Sequence, residues 1–188
     1  MKNIVIFASG SGSNAENIIK YFKNDREIRV VALFCNRPNA FVLERIKGFD
    51  IPAFIFNRED FTSDRVLDRL KTLKVDLVVL AGFLWKVPPH ILEAFPHQVI
   101  NIHPALLPAH GGQGMYGMRV HEAVIARGDG ESGITIHYVN ERYDEGTVIF
   151  QAACAIAPGE TPESLAGKIH ALEQAHFPAV IKRLLENK

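Results

Sequence analysis

The chain predicts an α/β fold: a Rossmann-like, mostly parallel sheet with helices on both faces and an antiparallel edge pair. Three observations carry that expectation. Apolar runs of strand length recur through the first hundred residues, and helical apolar spacing separates them. After residue 130 the pattern changes to two strand-like runs joined by a short polar loop. Parallel strands covered on both faces read as continuous β-branched runs rather than as alternation. At 188 residues, without repeats, low-complexity segments or a linker, the expected organisation is one domain, 1–188.

The buried strands are expected at Ile4–Ala8, Val30–Cys35, Ala53–Phe56, Leu77–Ala81 and Val99–Ile102. In the first intervening segment Ala15, Ile18, Ile19 and Phe22 recur at helical spacing, and Ser13 with Glu16 forms a capping-box pattern at its start. Helices are also expected at Val42–Gly48 and at Arg65–Leu73, where Val66, Leu67 and Leu70 share a face. Regular alternation of strand and helix implies right-handed β–α–β units. Further on, Gly133–Asn140 alternates apolar and polar, Thr147–Ile156 reads as a strand, and Asn140–Gly146 joins them as an antiparallel pair. Thr161 caps a last helix with Pro162 at its first position and a stripe of Leu165, Ile169, Leu172, Val180 and Leu184. Pro178 is expected to kink or break that helix.

Composition excludes several classes of function. Formal net charge is zero, which argues against a dedicated nucleic-acid or membrane-surface binder and leaves small molecules as partners. The apolar run Ile4–Ala8 is too short for a signal-peptide core or a membrane span, so a cytoplasmic protein is expected. Cys35 and Cys154 sit in apolar runs and lack metal or redox spacing; both are read as buried free thiols. No histidine or cysteine spacing suggests a metal, and His121 and His137, on a helix and a strand, read as structural. A monomer and a homodimer remain equally open.

Two stretches carry chemistry. After the first strand, Ser9–Gly10–Ser11–Gly12–Ser13–Asn14 permits a tight turn that leads into a helix N-terminus. Such a turn is either a phosphate cradle or an ordinary capped connection. Gly10, Gly12 and Ala15 also satisfy a loose dinucleotide fingerprint. An NAD site needs an acidic residue after the second strand, where Asn36–Arg37 stands; the arginine would suit NADP. The second stretch, Asn101–Ile102–His103–Pro104, begins where a buried strand ends, and alternation sends Asn101 and His103 to the same side.

The run Asn-Ile-His-Pro-Ala-Leu-Leu-Pro at 101–108 is one of four stretches that together resemble the glycinamide ribonucleotide (phosphoribosylglycinamide) formyltransferase family. The others are the glycine turn, Leu80–Ala81–Gly82–Phe83 and Tyr143–Asp144–Glu145–Gly146. They occur in the family's order and span essentially the whole chain. The resemblance implies the formyltransferase fold and transfer of a formyl group from the co-substrate 10-formyltetrahydrofolate to the amine of 5'-phosphoribosylglycinamide in purine (IMP) synthesis. It makes His103 the general acid, Asn101 the oxyanion stabiliser and Asp144 the carboxylate that raises the imidazole's pKa. An amide N–H and an imidazolium can each donate to the oxygen of a tetrahedral centre. The resemblance also places the phosphate on Gly12, Ser13 and Asn14, the glycinamide near Gly82, and another substrate contact at Glu173, which reads equally as a solvated helix-face carboxylate. The folate would lie against Leu84, Trp85, Lys86 and Val87, with Asn101, Arg65 and the loop Asn140–Asp144 as further contacts.

The chain departs from the family at Leu84–Trp85–Lys86, where Met-Arg is frequent, and at the longer loop Gly111–Met118. That loop is either a mobile lid or a surface loop held down by its two methionines. A formyltetrahydrofolate hydrolase shares the three-residue site but carries an additional N-terminal domain, and formyltransferases acting on initiator tRNA carry a C-terminal RNA-binding domain; neither addition is expected here. An NADP-dependent oxidoreductase leaves Asn101, His103 and Asp144 unexplained, and a catalytically dead nucleotide-binding module would not need all three.

Overall fold

The computed structural model describes residues 1–186. In chain order the elements are β1 (Lys2–Ala8), α1 (Ser13–Phe22), β2 (Ile28–Cys35), α2 (Phe41–Arg45), β3 (Ala53–Ile55), α3 (Arg58–Thr62) and α4 (Asp64–Thr72). They continue with β4 (Leu77–Leu80), α5 (Pro89–Ala94), β5 (Val99–His103), α6 (Met118–Arg127), β6 (Glu131–Tyr138), β7 (Val148–Ala155) and α7 (Pro162–Glu186). One sheet holds all seven strands in the order β3-β2-β1-β4-β5-β6-β7. The first five are parallel, and β6 and β7 add antiparallel at the edge, as the sequence predicts.

Strand alternation divides the core into two. Ile4, Ile6 and Ala8 of β1 face one layer with Ile18, Ile19 and Phe22 of α1 and Leu165, Ile169 and Phe177 of α7. Val5 and Phe7 face the other, with Phe61 of α3, Val66 and Leu70 of α4, and Ile91 of α5. That second layer is aromatic at its centre: Phe7 stacks on Phe34 at 4.8 Å and meets Phe83 edge-on at 5.3 Å. Burying each such side chain contributes roughly 1.5–3 kcal/mol. Strand order reverses direction between β1 and β4. The crevice outside their carboxyl ends is where open α/β sheets bind ligands.

Two local expectations are corrected and a third is narrowed. Ser13 and Glu16 form no capping box, because Gly12 is the N-cap in a left-handed conformation (φ 76°) and Ser13 is already helical. Glu16 instead pairs with Lys20 at 2.6 Å and Arg45 at 2.7 Å. The helix expected at Val42–Gly48 ends at Arg45 and starts one residue earlier, where Val42 N–H donates to the Gly10 carbonyl and its side chain packs on Gly12. Pro178 does not break α7, which runs through it from Pro162 to Glu186. A proline removes the N–H that would bond the carbonyl four residues earlier. Here that carbonyl, on Gln174, accepts from Asn17 Nδ2 at 2.9 Å, so the helix loses a bond and α1 gains one. Thr161 does cap α7, its Oγ1 accepting from Ser164 N–H at 3.2 Å.

Two short helices were not expected. Asn57 and Asp60 form a complete capping box at the start of α3, and prolines open α5. Among the described residues no helix is long and apolar enough to cross a membrane. Cys35 is buried and Cys154 only partly so; both thiols are free, and burial pushes both above the ordinary range.

Candidate active site

A cavity of about 720 Å³ opens at the crevice between the ends of β1, β4 and β5. The glycine turn forms one wall, the Gly82–Val87 segment another, and Asn101 and His103 its floor. Backbone bonds from Ser9 N–H to the Gly82 carbonyl and from Ala81 N–H to the Phe7 carbonyl hold the first two walls together. Ser9 Oγ adds a cross-link, donating to Asn36 Oδ1 at 2.7 Å and accepting from Leu84 N–H at 3.0 Å. Asn36 therefore braces the turn from beneath, while Arg37 lines the cavity. Leu84 N–H is committed inside the protein and cannot serve a ligand.

His103 ends β5, and β6 pairs with β5 so that Asn101 lies opposite His137 and His103 opposite Thr135. Thr135 fixes the chain beyond His103: its hydroxyl donates to the Ala105 carbonyl at 2.7 Å and accepts from Leu107 N–H at 2.9 Å. The loop after β6 returns over the sheet edge and brings Asp144 back to β5. Gly146, which has no room for a side chain against the Tyr138 carbonyl, allows this close return. Asp144 adopts a left-handed backbone (φ 56°) and accepts the Gly112 N–H at 2.9 Å on Oδ2. The same oxygen stands 3.5 Å from His103 Nδ1, and Oδ1 stands 3.6 Å from His137 Nε2.

Hydrogen bonds to carbonyls settle the ring tautomers, because a carbonyl can only accept. His103 Nε2–H donates to the His110 carbonyl at 2.7 Å, so Nδ1 is the nitrogen free to gain or lose a proton. His137 Nδ1–H donates to its neighbour's carbonyl at 2.9 Å, leaving Nε2 to accept Asn101 Nδ2–H at 3.2 Å. His137 thereby orients the Asn101 carboxamide and leaves its second N–H available. The reading of His137 as a structural residue is corrected: it lines the cavity, as does His121, whose Nδ1 is buried without a partner among the described residues.

Burial and charge act on His103 in opposite directions. Asp144 does pull the His103 pKa upward, yet burial is the larger effect and holds it below the ordinary histidine value. Burial therefore disfavours the imidazolium relative to that of a solvated histidine. Burial pushes the Asp144 carboxyl up, but the His137 and His103 rings and the Gly112 N–H outweigh it, and it ionises below its usual range. Glu173 is raised by burial, against the opposing effects of Asn14 and His170. Asn14 Nδ2 donates to Glu173 Oε2 at 2.9 Å, which ties the glycine turn to α7.

The structure brings Gly12, Ser13, Asn14, Gly82, Leu84, Trp85, Lys86, Val87, Asn101, His103, Asp144 and Glu173 to this one cavity. Arg65 is not among them: it lies at the start of α4, exposed, and pairs with Asp60 at 2.8 Å. The cation beside the aromatic wall is Arg58, 4.4 Å over the Trp85 ring. Tyr143 and Arg142, within the Asn140–Asp144 loop expected against the folate, also line the cavity. Among the described residues no three His, Cys, Asp or Glu side chains are grouped to hold a metal ion.

The chain is similar over nearly its whole length to known proteins. The phosphoribosylglycinamide formyltransferase of Bacillus subtilis is 36% identical over 98% of this chain and 95% of its own length. The chloroplastic enzyme of that name from Arabidopsis thaliana is also 36% identical, and this chain spans 66% of its length. The crystal structure of glycinamide ribonucleotide transformylase 1 from Geobacillus kaustophilus superposes with a TM-score of 0.88 at 38% identity, covering 98% of this chain and 99% of that one. Residues 2–181 match the formyl transferase family, and the chain belongs to it.

Proposed function

We propose that the protein transfers the formyl group of 10-formyltetrahydrofolate to the amine of 5'-phosphoribosylglycinamide, a step of purine synthesis. The observation that carries this reading is the convergence of Asn101, His103 and Asp144 on a cavity whose far wall is the glycine turn. The N–H groups of the first turn of α1 have no intrahelical partners and, with Arg37 beside them, suit a phosphate. Glu173, tied to Asn14, is placed for the ribose or the glycinamide. The folate lies against Trp85, Lys86 and Val87.

The amine attacks the formyl carbon, the C=O electron pair moves onto oxygen, and a tetrahedral centre forms. The free N–H of Asn101 donates to that oxygen, and His103 Nδ1–H joins it once Nδ1 has taken up the proton of the attacking amine. Burial disfavours the His103 imidazolium, so its proton affinity must rise as the reaction proceeds. A negative oxygen beside Nδ1 adds to the pull of Asp144 and favours the imidazolium. The amine, made acidic by attack, yields the proton; His103 passes it to N10 of the folate, and the C–N10 bond breaks. Atoms and charge balance, with the formyl group on the amine and tetrahydrofolate released.

The test is turnover with 10-formyltetrahydrofolate in the presence and absence of the nucleotide. Formylated nucleotide and deformylated folate should appear together in equal amounts. Deformylation without nucleotide would identify a hydrolase and overturn the reading.

A further inference from the structure

His110 lies outside the wall of the reaction cavity, yet its backbone touches the proton donor. Its carbonyl is the acceptor for His103 Nε2–H at 2.7 Å. The residue adopts a left-handed backbone (φ 54°), a conformation that a side chain other than glycine rarely holds without help. Its ring supplies an anchor: Nε2–H donates to Asp129 Oδ2 at 2.6 Å, in a pair whose histidine side chain is 9% exposed. Asp129 is fixed in turn. Gly128 ends α6 in a left-handed C-cap (φ 75°), which sends Asp129 back toward His110, and Arg127 Nε stands 3.3 Å from its other oxygen. Glycines follow at 111, 112, 114 and 117, so the chain beyond His110 has little stiffness of its own.

We propose that the His110–Asp129 pair is a positioning device for the proton donor. It holds the His110 carbonyl against His103 Nε2, fixes the ring as the Nε2–H tautomer, and reserves Nδ1 for the proton in transit. The inference rests on the reading of His103 as that donor. The pair faces a second, smaller cavity lined by Arg127, Asp129 and Ser132, separate from the substrates, and so acts on the reaction through His103. Nitrogen atoms of an unconstrained imidazole exchange the proton freely. A ring that spends time as the Nδ1–H tautomer turns a lone pair toward the carbonyl and presents no vacant Nδ1 to the incoming proton.

The experiment uses the full chain with 15N-labelled histidine, reading the His103 ring nitrogens by NMR alongside steady-state kinetics. His110→Phe keeps the bulk and removes the donor; Asp129→Leu removes the acceptor and leaves His110 intact; His110→Gln restores a donor. The first two should each mix the His103 tautomers and lower kcat about 10- to 100-fold, with KM for both substrates within about two-fold. His110→Gln should recover both readouts. An unchanged tautomer in whichever of His110→Phe and Asp129→Leu folds would overturn the inference, and so would mixed tautomers with wild-type kcat. His103→Ala retaining near-normal turnover would overturn the donor reading instead, and the tautomer spectra would still decide what the pair does.

Discussion

Replacing Asp144 with asparagine isolates the charge in the site from its shape. The amide keeps an oxygen for the Gly112 N–H, so the loop remains anchored. What disappears is a negative charge 3.5 Å from His103 Nδ1. At that separation two unit charges interact by about 5 kcal/mol in a medium of effective dielectric ~20. Solvent contact and the neighbouring His137 reduce this toward the ~1–3 pKa units usual for an opposite charge at such range. His103 already sits below its ordinary value because of burial. Removing Asp144 lowers it further, and the imidazolium needed in the transition state becomes scarcer by about 10- to 1000-fold. Asp144→Asn should therefore lower kcat by that range, with KM for the nucleotide nearly unchanged because the glycine turn, the proposed phosphate seat, is on the opposite wall. NMR titration of the His103 ring provides the parallel readout. A variant with kcat within about two-fold of wild type, and a His103 titration curve that does not move, would refute the reasoning.

Three further outcomes follow from the same structure. Gly12→Ala places a methyl group into Val42 at a left-handed backbone position, so it should raise KM for the nucleotide and destabilise the fold by about 1–3 kcal/mol, read by urea unfolding. Asn17→Ala leaves the Gln174 carbonyl without its donor and should cost about 1–2 kcal/mol. In a Pro178→Ala background the restored helical N–H serves that carbonyl, and the cost should shrink; a double-mutant cycle with no coupling would contradict this. Stability should also depend on pH below about 6.5, the unfolded histidine value. Burial lowers both His103 and His121, so in that window the unfolded chain binds more protons, and stability rises with pH and is lost on acidification. Glu173, raised by burial, has the opposite sign in its own range, from about 4.5 upward. Urea midpoints at pH 5 and 7.5 decide the sign, and His121→Leu should flatten the slope.

Much of the architecture was legible because it depends on local pattern. The β1 run, with every residue from Ile4 to Ala8 buried, announces a strand covered on both faces, and Asn101 and His103 share a side through strand geometry alone. Asp144 was harder, since its value depends on a loop returning across the edge of β6. His137 was misread because only the β5–β6 register sets it opposite Asn101, and no spacing within one strand reveals a partner on another. The Ser13–Glu16 cap failed for a conformational reason: Gly12 turns left-handed, and the helix begins a residue sooner than the pattern assumes. Pro178 does not end α7, and the carbonyl it frees finds its donor on Asn17, 157 residues away in sequence. Arg65 was named from the family resemblance alone, whereas the guanidinium over the Trp85 ring belongs to Arg58. The pull of Asp144 on His103 was visible in a motif, whereas the depth of burial that opposes it was not.

In the proposed reaction a formyl oxygen is held between Asn101 and His103 while a phosphate occupies the glycine turn. A crystal structure with 5'-phosphoribosylglycinamide and a non-transferable formylfolate analogue tests it most directly. The phosphate should lie on the N–H groups of Gly12–Asn14, the formyl oxygen within hydrogen-bond reach of Asn101 Nδ2 and His103 Nδ1, and the amine facing the formyl carbon. A phosphate seated elsewhere, or a formyl group turned away from both side chains, would contradict it.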